Sequence, residues 1–121
     1  MDSRAAGPGC LFFALKGERT DGHDFLGAVA AAGGCAVVRE SVPVGRLPSA
    51  GCFLRADDPR AALGRFAAGY RAQMPARLAG VTGSVGKTTV KELAADMLSG
   101  AGKTARTSGN FNNEVGLPLS L

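Results

Sequence analysis

The run Thr82-Gly83-Ser84-Val85-Gly86-Lys87-Thr88-Thr89 carries the residue types that phosphate chemistry needs. Glycines allow the backbone to turn so that successive N–H groups converge on one anion. Lys87 supplies a positive charge at the β- and γ-phosphates of a nucleotide. The Thr88 hydroxyl is a hard oxygen suited to Mg²⁺. A helix opening at Thr88 directs its positive end at the same anion. The spacing departs from the common G-x-x-x-x-G-K-[ST] form: Val81 stands five residues before Gly86, leaving a tighter T-G-x-x-G-K-T-T. A glycine-rich strand-to-helix turn with an exposed lysine is the plainer alternative. The flanking segments weigh against it, since the phosphate reading requires both a strand and a helix.

Those positioning elements are legible around the motif. The apolar run Leu78 to Val81 is expected as a buried strand entering the loop. Residues 88 to about 98 place Val90, Leu93, Ala94 and Met97 on one helical face, and Gly100 and Gly102 end the helix. Lys103 to Thr107 is polar for a strand but occupies the place of the parallel partner after a βα crossover. A polar loop, 108–114, precedes an apolar segment that starts another helix. Upstream, Cys10–Leu15, Cys35–Val38 and Cys52–Leu54 are short apolar runs expected as strands. Residues 24–32 read as a helix ended by Gly33-Gly34. Asp57-Asp58-Pro59 opens a second helix, with Ala61, Leu63, Phe66, Ala67 and Tyr70 at helical spacing until Pro75 stops it. The expected fold is α/β. A small N-terminal α/β unit over 1–75 is followed, over 76–121, by the opening βαβ of a P-loop doubly wound parallel-sheet domain. Two parallel strands and one helix cannot cover both faces of such a sheet, so the chain is expected to be truncated.

Composition narrows the classes further. With 45% hydrophobic and 20% charged residues, the 121-residue chain is globular and not disordered. The net charge of +4 is spread as scattered arginines with no basic stripe, which argues against a nucleic-acid partner and suits small anions. No apolar run reaches the length of a membrane span, and residues 1–4 lack the apolar core of a signal peptide. The three cysteines, Cys10, Cys35 and Cys52, are far apart in sequence, lie in apolar runs and form no C-x-x-C. They read as small buried hydrophobes of a reducing compartment, and the protein is expected to be cytoplasmic.

Four blocks together resemble the Mur ligases, the ATP-dependent amide-forming enzymes of peptidoglycan precursor synthesis. They are Asp2-Ser3-Arg4; Leu11 through Phe25, with Leu15-Lys16-Gly17-Glu18-Arg19-Thr20-Asp21-Gly22-His23 at its centre; Thr82 to Thr89 with Lys91-Glu92; and Gly109-Asn110-Phe111-Asn112-Asn113-Glu114 running on to Leu119. Val85 stands where many members carry Asn or His, which removes a side-chain contact and leaves the backbone cradle. Members also carry about a strand and a helix ahead of Asp-Ser-Arg.

The first and last blocks resemble the member that joins D-alanyl-D-alanine to UDP-N-acetylmuramoyl-tripeptide. The resemblance implies a monomeric parent that uses ATP and Mg²⁺ and passes through an acyl phosphate. It implies that 1–75 recognises the UDP substrate and that 76–121 begins the central ATP-binding domain. Gly83, Ser84, Val85, Gly86, Lys87, Thr88 and Thr89 would hold the phosphates, with Lys87 the catalytic cation. Thr88 and Glu114 would ligate Mg²⁺. Asn110, Asn112 and Asn113 would line the same pocket, and Ser3, Glu18, Arg19 and Thr20 would hold the UDP moiety. By spacing alone the asparagines read equally well as turn formers and Glu114 as a solvated loop acid. A sister ligase, a folylpolyglutamate synthetase-like enzyme and a P-loop switch protein are the alternatives. The Asn-Phe-Asn-Asn-Glu block argues against the first two, and the α/β unit ahead of the loop against the third.

Overall fold

The computed structural model describes residues 6–18, 20–108 and 113–120. Ser3, Arg19, Asn110 and Asn112 lie outside the described residues. The chain forms two compact units, Met1–Leu63 and Gly64–Leu121.

The first unit is built on a parallel three-stranded sheet in the order β1-β2-β3: β1 is Leu11–Phe13, β2 Cys35–Arg39 and β3 Cys52–Ala56. The register sets Phe12 beside Ala36 and Phe53, and Phe13 beside Val37 and Leu54. Alternation then sends the two sets to opposite faces. Phe12, Ala14, Ala36 and Val38 meet Leu26 and Val29 of helix α1 (Leu26–Ala31) to form the core. Phe13 and Val37, on the other face, are also buried. Burial on both faces explains why β1 and β2 read as continuous apolar runs. β3 is an edge strand and is largely exposed.

Helix α1 is shorter than its sequence period suggests. Gly22–Phe25 is a 3-10 turn, and its N-cap is Asp21, whose Oδ1 accepts the His23 N–H at 3.0 Å. The helix ends where Gly33 and Gly34 donate to the carbonyls of Ala30 and Val29. Helix α2, Pro59–Ala72, starts as its sequence indicates, with Asp58 Oδ1 accepting the Arg60 N–H at 2.8 Å. At its far end the Arg71 guanidinium donates to the carbonyls of Met74 and Ala76, satisfying acceptors beyond the last turn.

The cysteines differ from expectation. Cys35 and Cys52 are register partners on β2 and β3, 4.5 Å apart at Cα, and are joined as a disulfide; Cys10 is the free thiol. Seventeen positions of sequence separate the two, so only the strand pairing reveals that they are neighbours.

In the second unit, helix α3 spans Lys87–Ser99 and α4 spans Gly116–Leu119. The strands expected at Leu78–Val81 and Lys103–Thr107 are not formed. Neither segment joins a ladder among the described residues, and Leu78 is 67% exposed. A strand exists through its partner, and Gly80 together with the charged Lys103 and Arg106 gives these segments little β preference of their own. The apolar face expected on α3 is likewise open: Val90, Leu93 and Met97 are exposed, and Ala95 is the residue of α3 that is buried.

The Asp21 cap has a pH signature. The His23 backbone N–H, followed by the His23 ring, holds the Asp21 carboxyl below its ordinary value of 3.8. A lowered carboxyl contributes stability above its unfolded pKa and loses it as pH falls through the folded one. Asp21→Ala is expected to lower stability near neutral pH by about 1 kcal/mol, the usual size of a cap. Urea titrations at decreasing pH should show the gap to wild type closing below 3.8. A gap that stays constant into strong acid would remove the carboxylate from this role.

Candidate functional site

Residues 82–89 form an exposed loop running into α3. Gly83 has φ +150° and Gly86 has φ +77°, both in the region that side-chain-bearing residues avoid. Gly86 is the N-cap of α3 in a left-handed conformation, and the chain becomes helical at Lys87. A left-handed residue followed by right-handed ones points successive N–H groups into one concavity. The first intrahelical bond is Val90 N–H to the Gly86 carbonyl at 2.9 Å. The N–H groups of Lys87, Thr88 and Thr89 precede it and find no acceptor within the helix. A Cβ placed on Gly86 would meet nothing within 4 Å, so the concavity is open.

The Lys87 ammonium curls back and donates to the carbonyl of Gly83, four residues earlier. Cation, helix dipole and N–H groups thus gather at the start of α3. Such a loop is chemically suited to a tetrahedral oxyanion, since apart from the Gly83 carbonyl that Lys87 now engages it offers donors and a positive charge. Thr88 and Thr89 are exposed in the first turn of α3. Among the described residues no cluster of three or more His, Cys, Asp or Glu could hold a metal ion by itself. Mg²⁺ does not need such a cluster, because it characteristically takes one or two protein oxygens and completes its shell with phosphate and water.

Beyond the loop, α3 holds the returning chain through a polar clamp. Lys91 Nζ donates to the Thr107 carbonyl at 2.7 Å and pairs with Glu92 at 3.0 Å. Arg106 bridges Glu92 at 2.9 Å and Asp96 at 2.7 Å. Its guanidinium pKa is raised, first by the hydrogen bond to Asp96 and then by the charge of Glu92. Residues 106–107 therefore run beside α3 between Lys91 and Asp96, although they form no strand with Leu78–Val81. The chain then enters the asparagine-rich block. There Asn113 Oδ1 accepts the N–H groups of Val115 at 3.1 Å and Gly116 at 2.6 Å, so its oxygen caps α4. Glu114 follows it on the exposed turn.

In the first unit, Glu18 and Thr20 stand exposed at the tip of a tight turn. Lys16 and Asp21 bridge at its base, and the Gly17 N–H donates to the Thr20 carbonyl at 2.9 Å. A cavity of about 290 Å³ lies beside this turn, with Lys16, Arg39 and Arg46 among its lining residues. The His23 ring organises this end of the sheet. Its Nδ1 lies 2.6 Å from Asp21 Oδ1, and its Nε2 accepts the Arg39 backbone N–H at 3.2 Å. Sequence reasoning takes His23 for an ordinary helix-start residue, and spacing gives no sign that it reaches β2. The Arg106 clamp does leave a trace: Glu92 and Asp96, one helical turn apart, repel unless a cation comes between them.

Residues 81–121 match the Mur ligase middle domain, and residues 1–71, more than half of the chain, match the Mur ligase family catalytic domain. The chain belongs to the Mur ligase family. Over 99% of its length it is 49% identical to the UDP-N-acetylmuramoyl-tripeptide–D-alanyl-D-alanine ligase of Escherichia coli K12, and over 92% it is 42% identical to the enzyme of that name from Bacillus subtilis 168. It spans 26% and 24% of those relatives. Among solved structures it superposes on MurF from Acinetobacter baumannii with a TM-score of 0.84 at 40% identity, over 98% of this chain and 26% of that one. On the MurF ligase of Thermotoga maritima in complex with ADP the TM-score is 0.82 at 31% identity, over 98% of this chain and 27% of that one. The α/β class expected from the sequence is the class of these relatives, even though the two strands of the second unit are not formed.

The clamp behind the loop can be tested alone. Arg106→Ala removes the cation shared by Glu92 and Asp96 and leaves Glu92 with Lys91. The melting temperature is expected to fall by a few degrees at about 0.05 M salt and by much less at about 1 M, where exposed charges are screened. A loss that does not depend on salt would mean that Arg106 acts through packing.

Proposed function

We propose that the chain is a segment of an ATP-dependent ligase that adds D-alanyl-D-alanine to UDP-N-acetylmuramoyl-tripeptide. The observation that carries this reading is the left-handed Gly86 cap with Lys87 folded over the loop, in a chain whose curated relatives bear that ligase name. The whole reaction belongs to a protein of the relatives' length. In it the tripeptide carboxylate takes the terminal phosphoryl group of ATP, and the amine of the dipeptide displaces phosphate from the resulting acyl phosphate. Residues 1–75 form the UDP-substrate domain in this reading, and residues 76–121 begin the ATP-binding domain.

The chain's own residues bind and orient. N–H groups from Gly83 to Thr89 wrap the phosphates, and Lys87 leaves the Gly83 carbonyl to hold the β/γ-phosphates. The Thr88 hydroxyl and the Glu114 carboxylate are the protein oxygens offered to Mg²⁺, which neutralises phosphate charge when bound. Asn110, Asn112 and Asn113 face the transferred group; since the oxygen of Asn113 caps α4, its amide nitrogen is the atom that would make the contact. Ser3, Glu18, Arg19 and Thr20 hold the UDP moiety, and the exposed turn tip leaves Glu18 and Thr20 accessible for it. A cytoplasmic, monomeric parent with no nucleic-acid partner and no membrane insertion completes the proposal. No helix among the described residues is long and apolar enough to cross a membrane.

The decisive measurement is phosphate release by the full-length protein that carries this segment. Release should require both D-alanyl-D-alanine and the UDP-tripeptide, and Lys87→Ala should reduce it by at least about a hundredfold. Nucleotide hydrolysis without either substrate would favour a switch protein, and near wild-type turnover in the variant would remove Lys87 from the site. Separately, titration with UDP should shift the NMR signals of residues 18–20 and leave residues 82–89 unmoved. Shifts confined to the phosphate loop would place the uridine contact elsewhere.

A further inference from the structure

The Cys35–Cys52 pair sits where it can control the wall of the cavity in the first unit. Both residues open their strands, at the amino end of the sheet. By register they share a face with Phe13, Val37 and Leu54, opposite the face covered by α1. Cys52 is exposed and Cys35 half-buried, so small thiols in solution can reach the pair. Cys10 is on the other face. Its Sγ occupies the space that a Cβ on Gly34 would need, 2.6 Å from that position and next to Val29 of α1. The sheet therefore separates Cys10 from the pair.

The covalent ring closed by the disulfide contains all of β2, the connection 40–51 and the start of β3. That connection supplies Ser41, Val42, Pro43 and Arg46 to the cavity wall. At the opposite end of the ring, Arg55 of β3 donates to the carbonyls of Glu40 at 2.7 Å and Val42 at 3.0 Å, and the Glu40 N–H donates to the Ala56 carbonyl at 2.8 Å. These bonds hold the connection only while β3 stays in place. β3 is an exposed edge strand paired on one side, and parallel pairing is the weaker kind.

We propose that Cys35 and Cys52 form a reversible redox site whose oxidation locks β3 to β2 and orders the 40–51 connection. The exchange balances with a low-molecular-weight disulfide such as oxidised glutathione. Cys52 loses its proton, and its sulfur attacks the reagent, releasing one thiolate and leaving a mixed disulfide. Cys35 loses its proton and attacks Cys52 Sγ, releasing the second thiolate. Two electrons and two protons leave the protein, and one reagent disulfide becomes two thiols. A reduced thiol pool reverses both steps. Exposure to exchange is the property of labile, regulatory disulfides and not of sheltered structural ones.

The test uses the intact protein that carries residues 1–121, equilibrated with oxidised and reduced glutathione. Mass mapping should find the Cys35–Cys52 link appearing and disappearing with the ratio of the two, with Cys10 unlinked. Hydrogen exchange of peptides covering 40–51 should be slower in the oxidised form by on the order of tenfold, because ring closure removes openings in which β3 leaves. The melting temperature of the first unit should rise by on the order of 10 °C. Cys10→Ser should preserve all three differences, and Cys52→Ser should abolish them. Should Cys52→Ser fail to fold, reduced wild type alkylated in the folded state replaces it. Failure of the link to form, a link through Cys10, a link that reduced glutathione cannot open, or equal exchange at 40–51 in both forms would each overturn the proposal.

Discussion

The N–H groups at the start of a helix lack internal acceptors, and the second unit is arranged around that deficit at α3. Gly86 places the deficit at the mouth of the loop by taking a conformation that a β-carbon would oppose. Lys87, the first helical residue, adds a full charge where the dipole is already positive. That juxtaposition is unfavourable by itself, because cations prefer the other end of a helix. It is moderated by the Gly83 carbonyl, which accepts the ammonium. The resting loop is thus a concentration of positive potential compensated by one neutral acceptor, and an incoming anion gains what that carbonyl gives up. The acids of α3, Glu92 and Asp96, lie farther along the helix, where Lys91 and Arg106 engage them instead of the loop lysine.

The first unit meets a related deficit at the other end of its elements. The carboxyl ends of parallel strands expose backbone groups that the ladder no longer pairs. Here a side chain takes up one of them: His23 Nε2 accepts the Arg39 N–H just at the end of β2, while its Nδ1 faces Asp21. The ring thus joins the Arg39 N–H on one side to the Asp21 carboxylate on the other. The turn bearing Glu18 and Thr20 is held at its base by the same Asp21. One imidazole therefore fixes the turn to the sheet, and the positions of the turn-tip residues follow from a contact between residues sixteen positions apart.

What was legible in the sequence divides along the range of the interactions. Caps and breakers act within a few residues. Asp58-Pro59 at the start of α2, Gly33-Gly34 at the end of α1 and the phosphate loop ahead of α3 could therefore be read directly. β1 and β2 were legible for another reason: parallel strands buried on both faces leave continuous apolar runs, whereas the exposed β3 was read only from its short apolar start, Cys52 to Leu54. The strand expected at Leu78–Val81 was read from a short apolar run and the one at Lys103–Thr107 from topology, and the structure forms neither. The apolar face of α3 was read correctly as a periodicity, yet Val90, Leu93 and Met97 are exposed. Periodicity states what a helix could bury; whether it does depends on what packs against it.

The cysteines show the same limit most sharply. Cys35 and Cys52 occupy apolar runs, and hydrophobicity alone assigns them to a core. Their pairing depends on register, and register is a relation between two strands that neither strand's composition encodes. A shift of β3 by one residue would turn Cys52 to the α1 face and set Phe53 beside Cys35. The observed register is the one that sends Phe53 toward the α1 core. The same choice that packs Phe53 under α1 brings the two sulfurs together on the opposite face. The disulfide is therefore a consequence of core packing on the far side of the sheet, which is why it could not be found by counting cysteines.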